Sequence, residues 1–320
     1  MIVCCIQSCQ KKDLPLKTNE FNSSVNLQTR TPNSVVRLLN RRDSLILEYY
    51  FPGISFFGIW VIGEADPSYN CIAFSLGLYN IWINPPQHQQ DFEYLYAHAK
   101  ELYGASSNYE MVPMNYEYSE IDAYGFNPEN LTHASLRYIG RDYASKLGNY
   151  ITIVHPRYVN FSNSYGYPLF SFMKSLPYNN LRITAQILND KKIIIYPDER
   201  DYIYQQVIKH QKDTFLFNHL FDKWINNWKT NPLTMLDNST YSARKLEEYS
   251  QLLAMGPKII PLVLEKILDS KNFVGLILYD DLQDNILMKI NYSKNDLQFL
   301  EGEQNRALRT IKLWLKSQQF

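Results

Sequence analysis

Cysteine occurs at positions 4, 5, 9 and 71 of the 320-residue chain, so Cys71 is the one thiol beyond the extreme N-terminus. It sits in Tyr69-Asn70-Cys71-Ile72-Ala73-Phe74-Ser75-Leu76-Gly77. Asp66-Pro67-Ser68 supplies cap-type side chains ahead of this run and Gly77 a stop behind it, which predicts one short helix with the thiol near its start. A thiol attacks as thiolate, and at an ordinary pKa of about 8.5 little of it is ionised at neutral pH. Unpaired N–H groups at a helix start favour the anion, and a neighbouring imidazolium favours it more. His133, in Thr132-His133-Ala134-Ser135 on a predicted strand, would be that imidazole if it faced the helix end. The chemistry would then be attack of Cys71 on a carbonyl carbon, with His133 taking the proton and returning it to the leaving group. His155, or else Ser145, would hold the ring. The Cys71 N–H, with the Tyr69 hydroxyl or the Asn70 amide, would meet the oxyanion. The bland alternatives stay open beside this: a small buried cysteine, satisfied strand histidines, and a structural turn at His155-Pro156.

Other combinations offer less. His88, His98, His210 and His219 show no metal spacing and no glycine-rich phosphate loop is present, so no metal or cofactor is expected. Ser145 and Lys146 are adjacent on a strand and face opposite ways, which excludes a serine–lysine pair. Trp224 and Trp228, four apart on a helix, read as core. Lys+Arg and Asp+Glu number 32 each, so no net charge draws the chain to nucleic acid or an anionic membrane, and Lys11-Lys12 and Arg41-Arg42 are too short to do so locally. The 25 tyrosines suit partly wet cores and strand surfaces.

Residues 1–34 read as a signal remnant or linker. Met1 to Cys9 is apolar and runs into Gln10-Lys11-Lys12-Asp13, which resembles a bacterial lipoprotein cleavage site with Cys9 as the lipid-bearing residue. A membrane would be met only through that anchor. The location is the cell envelope if the gene starts upstream of Met1, and the cytoplasm otherwise. The apolar run Tyr49 to Gly63 is too short and too broken by Pro52, Gly53 and Gly58 to span a bilayer. Residues 35–197 predict an α+β domain. It contains a basic helix around Val35 to Arg42, a brief strand at Leu45-Ile46-Leu47, a buried strand over Phe56 to Ile62 and the Cys71 helix. A helix over Gln89 to Tyr103 follows, then strands over Glu120 to Tyr124, Thr132 to Ile139 and Tyr143 to Leu147, and a hairpin over Leu181 to Tyr196. Residues 198–320 turn helical. There the Gly256-Pro257 corner between two helices resembles HEAT-type helix pairs that would cap or brace the rest.

The order of a cysteine at a helix start and a histidine on a later strand resembles the papain-like and NlpC-type cysteine peptidase core. A closer resemblance is to an uncharacterised bacterial domain family with a Tyr-Asn-Cys-Ile-Ala-Trp-Ser-Leu-Gly helix, then Thr-His-Ala-Ala-Arg, Ser-Lys-Leu-Gly and Ile-x-His. The matching residues are Phe51-Pro52, Tyr69 to Gly77, Thr132 to Ala134, Ser145 to Gly148, and Ile153 with His155. Phe74 stands where the family has tryptophan, and Arg137 lies one residue late. The resemblance implies an α+β papain-like/NlpC-type core with an antiparallel sheet, followed by a mostly helical C-terminal region. It implies a thiol hydrolase or acyltransferase acting on an amide, with a peptide or cell-wall-type substrate. The alternatives are a non-catalytic binding or interaction module of the same fold, whose C-terminal helices take a protein partner, and a cytoplasmic toxin or immunity component.

Overall fold

A computed structural model describes residues 34–86, 88–114, 116, 119–175, 193–290 and 301–318. Cys9 and its segment lie outside these residues, as does the expected hairpin over 181–196 except for its last four residues, which form no strand. The described chain begins with β1 (Ser34–Leu38), α1 (Arg41–Tyr50), β2 (Trp60–Gly63) and α2 (Cys71–Ser75). It continues through α3 (Gln89–Ala97), α4 (Ala99–Tyr103) and the strands β3 (Tyr109–Val112), β4 (Ile121–Asn127), β5 (Asn130–Arg137), β6 (Asp142–Lys146), β7 (Thr152–Pro156) and β8 (Tyr167–Lys174). After residue 196 it is helical: α5 (Pro197–Lys209), α6 (Gln211–Thr230), α7 (Glu247–Ala254), α8 (Ile260–Ile267), α9 (Gly275–Leu282) and α10 (Glu303–Ser317).

The strands form one eight-stranded sheet in the order β1-β2-β7-β6-β5-β4-β8-β3, and every pairing is antiparallel. Because side chains alternate across a strand, the sheet sorts its residues onto two faces. Ile62, Ala123, Ala134, Ala144 and Val154 pack on one face against α2 and α3. Their neighbours Val61, Tyr124 and Ile153 pack on the other, with Leu47 of α1 and Phe161 and Tyr165 of the loop before β8. A third core lies among the C-terminal helices and holds Trp224 and Trp228, as the four-residue spacing requires.

Two cores exchange residues across the boundary near 197. Trp82, from the segment after α2, is fully buried among the C-terminal helices, while Met235 and Leu236 from the helical half complete the sheet core. The Trp82 carbonyl accepts from Glu303 N–H at 3.0 Å, and its own N–H donates to Gln304 Oε1 at 2.9 Å.

The start of the chain departs from expectation in a physical way. Val35 to Leu38 belongs to an edge strand, with alternate residues exposed, rather than to a basic helix. Leu45-Ile46-Leu47 lies inside α1 rather than in a strand. Asn40 opens that helix through a reciprocal capping box with Asp43, and Ile46 and Leu47 turn inward while Leu45 stays exposed.

Candidate functional site

Asn70, not Asp66 or Ser68, caps α2. Its Oδ1 accepts from Ala73 N–H at 3.3 Å, and its Nδ2 donates to the carbonyls of Ile83 at 2.6 Å and Asn238 at 3.0 Å. Asp66 is engaged locally, by Ser68 N–H and hydroxyl. The Asn70 amide therefore has its donors committed to two carbonyls. Tyr69 is buried, edge-on to Tyr79, with its ring 5.3 Å from Lys146 Nζ.

Cys71 opens the helix and is fully buried among apolar side chains that include Ala134 and Ala144. Burial pushes its thiol up to about 12, and the backbone of Ala134 and the charge of Lys146 offset this only in part. Desolvation outweighs the helix start, so the thiol is held in its protonated form at neutral pH.

His133 is not among the groups around that thiol. Its neighbour Ala134 looks toward Cys71, so the His133 ring points to the opposite face, where it stacks on Tyr165 with ring centroids 4.0 Å apart. The sheet therefore brings together His133, Ser145 and His155, from the adjacent strands β5, β6 and β7, and leaves Cys71 on its other side. Ser145 Oγ lies 2.9 Å from His133 Nε2 and 2.8 Å from His155 Nε2.

The two ends of this row fix the protons within it. His155 Nδ1 lies 2.8 Å from the Pro156 carbonyl, which only accepts, so Nδ1 carries a proton and Nε2 accepts from the Ser145 hydroxyl. At the far end His133 Nδ1 lies 3.2 Å from Asn238 Nδ2, which only donates. That amide's orientation is set, because its Oδ1 accepts from Gly148 N–H at 3.2 Å and its Nδ2 also donates to the Thr132 carbonyl at 3.0 Å. His133 then carries its proton on Nε2 and gives it to Ser145. One unidirectional chain results, running from Asn238 through His133, Ser145 and His155 to Pro156, with each donor matched to an acceptor. It needs both rings neutral, and the surroundings agree. Burial, then the neighbouring His155, holds His133 well below the ordinary imidazole range, and burial lowers His155 to about 4 despite the Pro156 carbonyl.

Lys146 faces the Cys71 side, as strand alternation requires. It is fully buried, and its Nζ donates to the carbonyls of Gly148 and Tyr150. Burial lowers its pKa to about 7, against the pull of Asp66 and Cys71. Further along the His133 face, Arg157 clamps buried Asp122, Nε to Oδ2 and Nη2 to Oδ1 at 2.8 Å each, and also donates to Ser119 and Ser171. Gly148, at φ +50°, lets the chain touch the helical half; a Cβ there would lie 2.6 Å from the Leu236 backbone.

Sequence reasoning passed over Asn238, Asp122 and Arg157. A lone carboxylate within Ile121-Asp122-Ala123-Tyr124 was a readable sign of a buried pair, whereas Asn238, in an Asn-Ser-Thr turn, carried no local signal. Among the described residues no group of three His, Cys, Asp or Glu could hold a metal ion, and no helix is long and apolar enough to cross a membrane.

These features define an α+β protein with an eight-stranded antiparallel sheet, a polar row buried on one face, and a helical C-terminal region. Residues 60–173, from the first residue of β2 to the penultimate residue of β8, match a domain of unknown function, DUF7689. No curated protein and no solved structure matches the chain.

Proposed function

We propose that this chain is a non-catalytic binding or interaction module, in which Cys71, His133, Ser145 and His155 hold the sheet together and leave recognition to its surfaces. One observation carries the reading. The thiol and the imidazole that would have to meet are buried on opposite faces of one sheet, each satisfied where it is. A hydrolase or acyltransferase acting on a peptide or cell-wall-type amide would need His133 to pass to the other face and Cys71 to lose its apolar cover. A papain-like or NlpC-type ancestry draws support from a cysteine at the first position of a helix packed on an antiparallel sheet. A HEAT-like reading of α7 and α8, the helices on either side of the Gly256-Pro257 corner, draws support from that corner and from both helices packing on α9. On this reading the C-terminal helices are the surface for a protein partner, consistent with Phe215 of α6 being 86% exposed. A lipid at Cys9 would place the module at the envelope.

The test is alkylation of Cys71 by iodoacetamide across pH, with Cys4, Cys5 and Cys9 replaced by serine, beside the same chain carrying His133→Ala. In the folded protein Cys71 should stay unreactive until denaturant is added, with no low-pH onset of alkylation in either variant. Rapid labelling near neutral pH that His133→Ala abolishes would overturn the proposal and restore the catalytic pair.

A further inference from the structure

Three connections converge at one end of the sheet: the turn after α1, the β5–β6 hairpin, and the loop after β7. They enclose a cleft of about 870 Å³. That volume suits a single small molecule rather than a polymer. We infer that this cleft binds a small organic anion carrying a flat ring, its charge on Arg141 and its ring between Phe57 and Tyr158. The inference rests on the binding-module reading and gives that module a ligand class.

The argument begins with what is left uncovered. Phe57 is 89% exposed and Tyr158 is 72% exposed, both lining the cleft. Large aromatics kept in water at the mouth of a cleft leave apolar area that a ring would cover. Arg141 lines the same cleft, is exposed, and has no hydrogen-bond or ion-pair partner among the described residues. A guanidinium only donates, in a planar fork that matches carboxylate and phosphate oxygens. Arg137 adds a second guanidinium, held with Nε on the Gly140 carbonyl at 2.8 Å.

The floor is prepared as well. Arg157 is fixed by Asp122 beneath it, and its guanidinium carbon lies 5.2 Å from the Tyr143 ring and 5.7 Å from the Tyr158 ring. Tyr158 is thereby presented from a rigid base, which lowers the ordering cost of binding. Asp142 is the one carboxylate of the lining. It opposes a highly charged ligand, and together with the chain's zero net charge it disfavours a nucleic acid.

The experiment measures equilibrium binding to the full chain by calorimetry. Adenosine 5′-monophosphate and phenylacetate serve as ring-bearing anions, with inorganic phosphate and adenosine as the halves of the first and acetate and benzyl alcohol standing for the halves of the second. A ring-bearing anion should bind at least about tenfold more tightly than either of its halves, with phosphate and carboxylate probes telling the two anion sources apart. Arg141→Gln should weaken the anions by about tenfold or more while sparing adenosine. Phe57→Ala should weaken the ring-bearing anions while sparing phosphate. Both positions are exposed, so both variants retain the fold. Absence of binding by either ring-bearing anion at millimolar concentration, or binding that Arg141→Gln leaves intact, overturns the site and leaves the module reading standing. Binding that is followed by conversion of a probe supports the cleft and overturns the non-catalytic reading instead.

Discussion

The hydrogen-bond row from Asn238 to Pro156 makes a quantitative demand on acid stability. Below its ordinary pKa of 6.5, an unfolded histidine takes a proton that His155 in the folded chain refuses until about pH 4. The unfolded state then binds more protons, so stability is intact above about pH 6.5 and drains away as pH falls toward the folded value. Between about pH 7 and pH 5, His155 alone should cost about 2 kcal/mol. His133, also lowered by burial and then by His155, should add to the slope with the same sign. Burial raises the carboxyl pKa of Glu303 and of Asp280, and these oppose the loss. The informative quantity is therefore a difference. Urea unfolding followed by tryptophan fluorescence at the two pH values should show the native chain losing about 2 kcal/mol more than His155→Gln does. In parallel, ring ¹⁵N shifts should report opposite neutral tautomers: proton on Nδ1 for His155 and on Nε2 for His133. Equal pH losses in the two proteins, or two histidines sharing one tautomer, would refute the unidirectional chain.

Two further perturbations probe how the sheet is held. Gly148→Ala puts a Cβ 2.6 Å from the Leu236 backbone at φ +50°, so chemical denaturation should show a loss of about 2–4 kcal/mol, and a loss no larger than that of an ordinary surface change would mean the contact is looser than described. Arg157→Met strands the carboxylate of Asp122, which is fully buried, and should cost about 3–5 kcal/mol in the same assay; adding Asp122→Asn should recover much of it, and failure of that recovery would show that the arginine matters through packing instead.

Much of the architecture was legible because its signals were local. Gly77 and Gly104, at φ +76° and +68°, end the Cys71 helix and the Gln89 to Tyr103 segment where glycine was expected to. The β4–β5 turn and the β5–β6 hairpin were marked by Asn127-Pro128 and Gly140. The face of β5 was not legible. Leu131, Ala134 and Leu136 are all buried, and so are His133 and Ser135, so the strand is covered on both sides. A strand covered on both sides offers no polar-out alternation to say which set looks toward α2. Sequence spacing therefore gave a cysteine helix and a histidine strand correctly, but could not state the parity that separates them. The same limit explains Val35 to Leu38, where a short apolar and basic run fits a helical or a strand period equally well.

The exchange of Trp82 for Met235 and Leu236 has a consequence for how the chain comes apart. Each half keeps part of its interior in the other's custody, Trp82 among the helices and Met235 and Leu236 under the sheet. Opening the helical half strips Tyr124 and Leu147 of neighbours under the sheet, and opening the sheet withdraws a tryptophan from among the helices. One cooperative transition is therefore the expected outcome when calorimetry follows unfolding of the whole chain, and two separate transitions would mean that the exchanged residues couple the halves only weakly.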